Sequence, residues 1–205
     1  MLQPALVSDH LSWSEVDGIH FPDLLPLPYT DEALEVVIRN VHFIQETLRR
    51  PVLIENPSRY LSLPDSTLSE GEFLAEVVAR TGCRILLDVN NLFVTAVNSG
   101  AAASAALNDL LSRISPEYIS EVHLAGHTVV PSACGGSLLV DHHGSNVRLE
   151  VWELFEAAIA ELGPIPALVE WDVHLPSFET LQAQAAAVQA ILSRNIPDEH
   201  HAQVD

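Results

Sequence analysis

The sequence has few basic residues, few cysteines and no long apolar run. Lys and Arg together number 9 against 28 Asp and Glu, a formal net charge of −19, which argues against binding to nucleic acid or to an anionic membrane surface. No apolar run approaches the ~20 residues of a membrane span. Two cysteines, Cys83 and Cys134, cannot build a disulfide framework. The first residues also lack the basic and apolar segments of a signal peptide. We therefore expect a cytoplasmic protein.

Five short apolar runs stand out in the 205 residues. Each is rich in Val, Ile and Leu without clean alternation, which is typical of a parallel strand buried on both faces. Each run also ends in acidic residues, amides or histidines. The hydrophobic content of 48% is enough for one folded domain. The predicted strands are residues 4–10, 51–56, 84–91, 119–127 and 166–172.

Helical patterns alternate with these runs. Thr30 and Ser69 are plausible N-caps, and Gly82 is a stop signal. The alternation predicts an α/β fold of about five βα units around a parallel sheet. No G-x-G-x-x-G follows the first strand, so a dinucleotide-binding fold is not indicated, and polar strand ends suit a barrel. The predicted helices are residues 31–50, 69–80, 102–113, 149–162 and 178–193.

The polar residues that end the strands are the candidate functional residues. In a parallel barrel they would converge on one mouth, where several carboxylates need a counter-charge. Mixed His and carboxylate ligands suit iron, manganese or zinc, and their number allows two or more ions. They are Asp9, His10, Glu55, Asn56, Asp88, Asn90, Asn91, Glu121, His123, His127, Glu170 and Asp172.

The segment 141–144, of sequence DHHG, adds further candidates. It follows His123 too closely for another βα unit, so we interpret it as a long loop that folds back over the site. The alternative for each strand-end residue taken alone is a helix cap or a loop hydrogen bond, and Asn56, Asn90 and Asn91 fit that role. The recurrence at five successive strand ends favours the metal site. No G-x-S-x-G, P-loop or H-E-x-x-H motif is present.

Six motifs in order carry a family resemblance: SDHLSW, LIENPSRYL, LLDVNNLFVTAVN, EVHLAGH, D-x-HG followed by VWELFE, and LVEWD. Together they resemble the multinuclear non-haem iron-dependent oxidative enzymes, the family that includes the methanobactin-biosynthesis iron enzyme. The resemblance runs to about Leu192. It implies a xylose-isomerase-like TIM barrel that binds two or three iron ions. It also implies use of dioxygen to modify a ribosomally made precursor peptide, often at cysteine, with a small partner protein that recognises the leader.

The resemblance also assigns residues. The implied metal ligands are His10, Glu55, Asp88, His123, Asp141, His143 and Glu170. The resemblance implies that His127 and Asp172 support these ligands or a bound water. We expect Asn56 and Asn90, at the neighbouring strand ends, to support the ligands as well. His142 departs from the family pattern, which usually has a small polar residue there.

The length departs from the family as well. Members carry roughly three more strands before SDH, one of them with an iron-binding histidine, and a complete barrel needs about 250 residues. We therefore expect an incomplete barrel over residues 1–194, from a truncated gene product or a misplaced start, followed by a polar, disordered tail at 195–205. Three functions stay open: an iron-dependent peptide oxidase, a zinc or manganese hydrolase or isomerase on the same barrel, and a non-catalytic remnant or subunit.

Overall fold

A computed structural model of the protein describes residues 3–132 and 135–196. Its central sheet contains five parallel strands, arranged side by side in the order in which they occur along the chain. These are β1 (Ser8–His10), β4 (Leu53–Glu55), β5 (Arg84–Asp88), β6 (Ile119–Ala125) and β9 (Ala167–Glu170). Two antiparallel hairpins lie outside this sheet, β2 (Trp13–Val16) with β3 (Ile19–Leu25) and β7 (His127–Pro131) with β8 (Ser137–Asp141).

Five of the six α-helices in the described residues lie between the parallel strands, and the sixth follows β9. The six helices are α1 (Asp31–Leu48), α2 (Glu70–Thr81), α3 (Val89–Asn98), α4 (Ala103–Arg113), α5 (Leu149–Leu162) and α6 (Phe178–Arg194). The outer helices pack in sequence order, α1 on α2, α2 on α4, α4 on α5 and α5 on α6, so they form one layer on one face of the sheet. This is the arrangement of consecutive units in a (β/α)₈ barrel. The predicted α/β class with parallel βα units is confirmed.

The helix boundaries follow from local caps. The Ser69 side chain accepts from Glu72 N while the Glu72 side chain accepts from Ser69 N, which forms a capping box at the start of α2. Thr30 caps α1 through Ala33 N. α1 ends at Leu48, two residues earlier than predicted, because Arg49 adopts a left-handed conformation with φ 54°. None of the helices in the described parts of the chain is long and apolar enough to span a membrane.

The two faces of the sheet differ in chemistry. Ile54, Leu87 and Val122 belong to the hydrophobic core that the strands share with the helices. Side chains alternate between faces along a strand, so the next residue in each case, Glu55, Asp88 and His123, lies on the opposite face. The sheet therefore packs an apolar face against the helix layer and carries acidic and histidine side chains on the other face.

Three parts of the sequence interpretation need correction. The predicted strand 84–91 ends at Asp88, because the Asp88 carboxylate accepts from Asn91 N and starts α3. His127–Pro131 and Ser137–Asp141 pair as the hairpin β7–β8, so DHHG begins at the end of a strand and not within a long loop. The hairpin β2–β3, which turns at Asp17 and Gly18 with positive φ, was not predicted. Cys134 and most of the predicted tail, residues 197–205, lie outside the described residues.

Candidate metal centre

Strand register gathers the predicted ligands at the carboxyl edge of the sheet. His10 of β1 lies opposite Glu55 of β4, and Asp88 of β5 lies opposite His123 of β6. Glu170 ends β9 opposite Ala125, two residues beyond His123. Because the strands are parallel and in sequence order, one edge collects a side chain from every strand.

Four of these side chains form a cluster that we call the Glu55 cluster: Glu55, Asp88, His123 and Glu170. One ligand atom from each lies within 4.8 Å of the others. The His123 Nδ1 atom is 3.3 Å from Glu170 Oε2 and 3.7 Å from Glu55 Oε1. His10 adjoins this cluster, with its Nε2 atom 3.3 Å from Glu55 Oε2. On the other side of the His123 ring, Glu121 Oε1 is 3.7 Å from Nε2.

Three more residues form the adjacent His143 cluster: Asp141, His143 and Asp172. The His143 Nε2 atom lies 2.8 Å from Asp141 Oδ1, and Nδ1 lies 3.1 Å from Asp172 Oδ2. His143 Nδ1 is also 3.6 Å from Glu170 Oε2. Glu170 therefore lies between the two clusters, and it can reach both.

Four buried polar atoms at this edge have no hydrogen-bond partner: Asp88 Oδ2, Asn91 Oδ1, His123 Nδ1 and His143 Nε2. Buried polar groups are normally satisfied. The short contacts of the two histidine nitrogens with carboxylate oxygens are not aligned as hydrogen bonds. Two ligands of one ion with bonds of about 2.1 Å lie roughly 3 Å apart, so the observed spacing fits atoms directed at a shared cation.

The excess of carboxylates over Arg side chains at this edge also favours a bound cation. Among the described residues, no Arg forms an ion pair with the carboxylates of either cluster. Burial, with the nearby Asp141 and Glu55 charges, raises the pKa of Asp88 well above its ordinary value. Burial opposes a charge on His143, but its contact with Asp141 and the surrounding carboxylates outweigh this and raise its pKa to about 10. The residues present fit a metal cation with mixed nitrogen and oxygen ligands, such as iron, manganese or zinc.

Asn56 and Asn91 support Asp88 through hydrogen bonds. Asn56 donates to the Asp88 carbonyl and accepts from the Asp88 amide, both at 2.9 Å. Asn91 N donates to Asp88 Oδ1 at 2.7 Å, and Asn91 Nδ2 donates to the Asn56 carbonyl. These bonds fix the loop after β4 to the start of α3, where Asp88 is the N-cap.

Asn90 has a different role from its neighbours. Its Nδ2 donates to Asp141 Oδ1 at 2.7 Å, and its Oδ1 lies 2.8 Å from His127 Nδ1. His127 is buried, and its ring stacks on Phe93 at a centroid distance of 5.2 Å. Burial and the nearby Arg148 lower the pKa of His127 to about 4. His127 is therefore neutral at pH 7 and lies behind the ligands.

Helix α3 holds the hairpin that ends in Asp141. Asn98 Nδ2 donates to the Leu139 carbonyl, and Leu139 N donates to Asn98 Oδ1, both at 2.9 Å. These two bonds imitate the pairing of a neighbouring strand. Together with the Asn90 and Phe93 contacts, they fix β7 and β8 against α3, so the position of Asp141 depends on α3.

Backbone contacts place His143. Its N–H donates to the Gly126 carbonyl at 3.1 Å, and its carbonyl accepts from Asp172 N at 2.8 Å. A Cβ atom at Gly126 would overlap the Ser145 carbonyl oxygen, so the close approach of the two backbone segments at Gly126 and Ser145 requires glycine. The His142 ring approaches the Gly126 carbonyl at 3.4 Å. His142 thus contacts the backbone at this point and also lines the cavity beside His143.

The sequence interpretation missed Ser58 and Tyr60. Ser58 Oγ donates to Asp141 Oδ2 at 3.4 Å, and the Tyr60 hydroxyl accepts from Asp141 N at 3.0 Å. Both lie in LIENPSRYL just beyond the end of β4, and a hydroxyl side chain at such a position is a recognisable sign of a functional residue. They also line a cavity of about 280 Å³ beside the His143 cluster, whose wall includes Leu24 and Val173.

Comparison with known proteins identifies the family. The family model described as RiPP precursor modification enzyme MbnB/TglH/ChrH matches residues 1–193. RiPP stands for a ribosomally synthesised and post-translationally modified peptide. A UPF0276 protein of Rhizobium meliloti is 46% identical over 193 residues, which cover 94% of this chain and 61% of that protein. One from Vibrio vulnificus is 48% identical over 195 residues, covering 95% and 65% respectively. The chain thus spans less than two thirds of the length of these relatives.

Solved structures give a weaker similarity. A xylose isomerase domain containing protein from Salmonella typhimurium aligns at a TM-score of 0.42 with 14% identity, covering 84% of this chain and 60% of that one. A xylose isomerase-like TIM barrel protein from Mycobacterium smegmatis aligns at 0.35 with 9% identity, covering 81% and 69%. The sequence matches are the stronger evidence. The chain belongs to the MbnB/TglH/ChrH family of RiPP precursor modification enzymes.

Proposed function

We propose that this chain contributes most of a multinuclear iron centre that modifies a ribosomally made precursor peptide, at cysteine, with dioxygen. The observation that carries the proposal is the set of three buried ligand-type atoms without partners, on Asp88, His123 and His143. They lie among carboxylates that no Arg of the described residues neutralises. Membership of a peptide-modifying family supports the substrate class.

The ligand set divides into two metal positions that share Glu170. Glu55, Asp88 and His123 would hold the first position. Asp141 and His143 would hold the second, beside Asp172, which has a carboxylate oxygen within 4.8 Å of both His143 and Glu170. The His143 Nδ1 contact with Asp172 is aligned as a hydrogen bond, whereas Nε2 has no aligned hydrogen bond. If a metal ion replaced the Nε2 proton, His143 would be neutral, donate from Nδ1 and present its Nε2 lone pair to the ion. Asp172 would therefore orient His143, and Asp141 would be its fellow ligand.

A third position is suggested by His10. Its Nε2 atom adjoins Glu55 on the side away from His123. Glu55 would then lie between two ions, as Glu170 does. The ligand types of this third position are a histidine and a carboxylate, so two or three ions are compatible with the residues present.

Bound iron would supply Lewis acidity and the one-electron steps that dioxygen chemistry requires. The chain's own residues would position the peptide. The cavity of about 280 Å³ adjoins Asp141 and His143 and has Leu24 and Val173 in its wall. It has room for a single small side chain, and most of its wall is polar, with Ser58 and Tyr60 beside Asp141. A small partner protein that recognises the precursor leader is part of the proposal, on the family resemblance.

Glu55→Ala tests the iron assignment directly. We expect anaerobically purified wild-type chain to contain at least one iron per chain and the variant to contain much less, because Glu55 contacts both His10 and His123. Elemental analysis measures this, and Glu76→Ala on the exposed face of α2 is the matched control. Less than one iron per chain, together with unchanged content in Glu55→Ala, would contradict the proposal.

Oxygen uptake separates the oxidase from the other metal-dependent functions. Peptide-dependent dioxygen consumption is expected for the iron enzyme. Stoichiometric zinc without oxygen consumption would favour a hydrolase or isomerase instead.

The open sheet favours a second candidate, a non-catalytic subunit. Within the described residues, β1 and β9 each pair with only one neighbouring strand, and such edges promote association. Stable association without iron, seen by size-exclusion chromatography and elemental analysis, would support this candidate over the enzyme.

A further inference from the structure

His127 lies in a buried position that the proposed metal chemistry does not use directly. It is the first residue of β7 and only 2% exposed, and its ring stacks on Phe93 of α3. Its side chain contacts neither metal cluster. Its Nδ1 atom lies 2.8 Å from Asn90 Oδ1. A buried histidine in such a place acts as packing, or it fixes the group it bonds.

The identity of the neighbouring groups determines the direction of each hydrogen bond. A carboxylate can only accept, so the Asn90 group that contacts Asp141 Oδ1 must be the amide nitrogen. The Asn90 oxygen then faces His127, and His127 must carry its hydrogen on Nδ1. Without that N–H, the Asn90 amide could rotate by 180° and present its oxygen to Asp141.

We propose that His127, through Asn90, is a positioning residue that holds Asp141 in its metal-binding orientation. The chain of contacts runs from His127 Nδ1 to Asn90, from Asn90 Nδ2 to Asp141 Oδ1, and from there 2.8 Å to His143 Nε2. This inference rests on the proposed function, because it assigns Asp141 and His143 to one metal position. Ser58 and Tyr60 hold the other side of Asp141, so the Asn90 bond completes its restraint.

The test is anaerobic titration of the metal-free chain with Co²⁺, followed by its visible absorption. Asp141→Ala and Asp88→Ala identify the absorption of the second and first positions. In His127→Phe, which keeps an aromatic ring against Phe93, we expect Co²⁺ affinity at the second position to fall by about 10–100-fold. Affinity at the Glu55 cluster is expected to stay unchanged. His127→Asn retains an N–H near the Nδ1 position, so it should recover most of the loss.

Two further variants complete the design. His42→Phe, at an exposed site on α1, is the matched control and should bind Co²⁺ as wild type does. Asn90→Asp tests the same chain without changing His127, because it places a second carboxylate oxygen against Asp141, and it should also lose Co²⁺ at the second position. Equal weakening of both positions in His127→Phe and Asn90→Asp, or no change in either, would overturn the inference. Absence of Co²⁺ binding by wild type at the second position would overturn the proposed function and the inference with it.

Discussion

Glu170→Gln is expected to lower metal binding at both positions, to less than about a tenth of the wild-type content. Glu170 Oε2 lies 3.3 Å from His123 Nδ1 and 3.6 Å from His143 Nδ1, so one carboxylate adjoins both clusters. Its pKa is lowered mainly by the contact with His123, which indicates that the charged form is the native one. Gln keeps the shape and removes that charge. Elemental analysis after anaerobic purification measures the loss.

Two matched variants show whether the shared position of Glu170 is the cause. Asp172→Asn changes a residue beside His143 that is outside the Glu55 cluster, so it should weaken the second position alone. Glu161→Gln, on the exposed side of α5, makes the same chemical change and should have no effect. Retention of one full equivalent of metal by Glu170→Gln would show that the two positions do not share this residue.

Asp88→Asn is expected to stabilise the metal-free protein while it weakens metal binding. Asp88 is fully buried, and its Oδ2 has no hydrogen-bond partner. Its neighbours Asp141 and Glu55 add like charge and help to raise its pKa. Removal of an unsatisfied buried charge should increase the free energy of unfolding at pH 7 by about 1–3 kcal/mol. For a chain of this size that corresponds to a melting temperature higher by roughly 2–12 °C.

The pH dependence of this effect has a definite sign. The pKa of Asp88 is higher in the folded than in the unfolded state. The loss of folding stability that wild-type Asp88 causes therefore grows as the pH rises from about 4. The stability advantage of Asp88→Asn should therefore be present at pH 7 and disappear as the pH falls toward 4. Thermal unfolding of metal-free samples measures it, with the exposed Asp65→Asn as control. A less stable variant at pH 7, or an advantage that persists at pH 4, would contradict the assignment.

Metal should reverse the order of stability. A ligand that binds only the folded state raises stability by an amount that depends on its affinity. Wild type should therefore gain more than Asp88→Asn when metal is added. Such an exchange of folding stability for binding is common at functional sites.

The site was more predictable from the sequence than the hairpins around it. The carboxyl ends of parallel strands share one edge, so the strand-end positions of Glu55, Asp88, His123 and Glu170 were enough to bring these side chains together. The same reasoning puts His10 at this edge, where the structure shows it beside Glu55. Each of these predictions needed only strand direction and order, which the alternating pattern of apolar runs and helices provides.

The remaining features depend on contacts between distant segments. The apolar run that contains Asp88 continues into Val89 without a break, so the start of α3 depends on a cap and not on hydrophobicity. Asn90 resembles Asn91 in sequence, but it contacts His127 and Asp141 because the hairpin β7–β8 packs on α3. Glu170 lies between the two clusters, and no sequence motif shows that one carboxylate is close to both His123 and His143. The hairpin β2–β3 did carry a signal, the Asp17-Gly18 turn between two strands.

The two hydrogen bonds between Asn98 and Leu139 make the position of Asp141 in the metal centre sensitive to local unfolding of α3. A two-stranded hairpin alone is marginally stable in water, and this one is held against α3 by the Asn98 amide and the ring of Phe93. α3 and the hairpin should therefore open and close as one cooperative unit. Each opening would carry Asp141 away from His143, so the lifetime of metal at the second position would be limited by the opening rate of a helix that contributes no ligand to it.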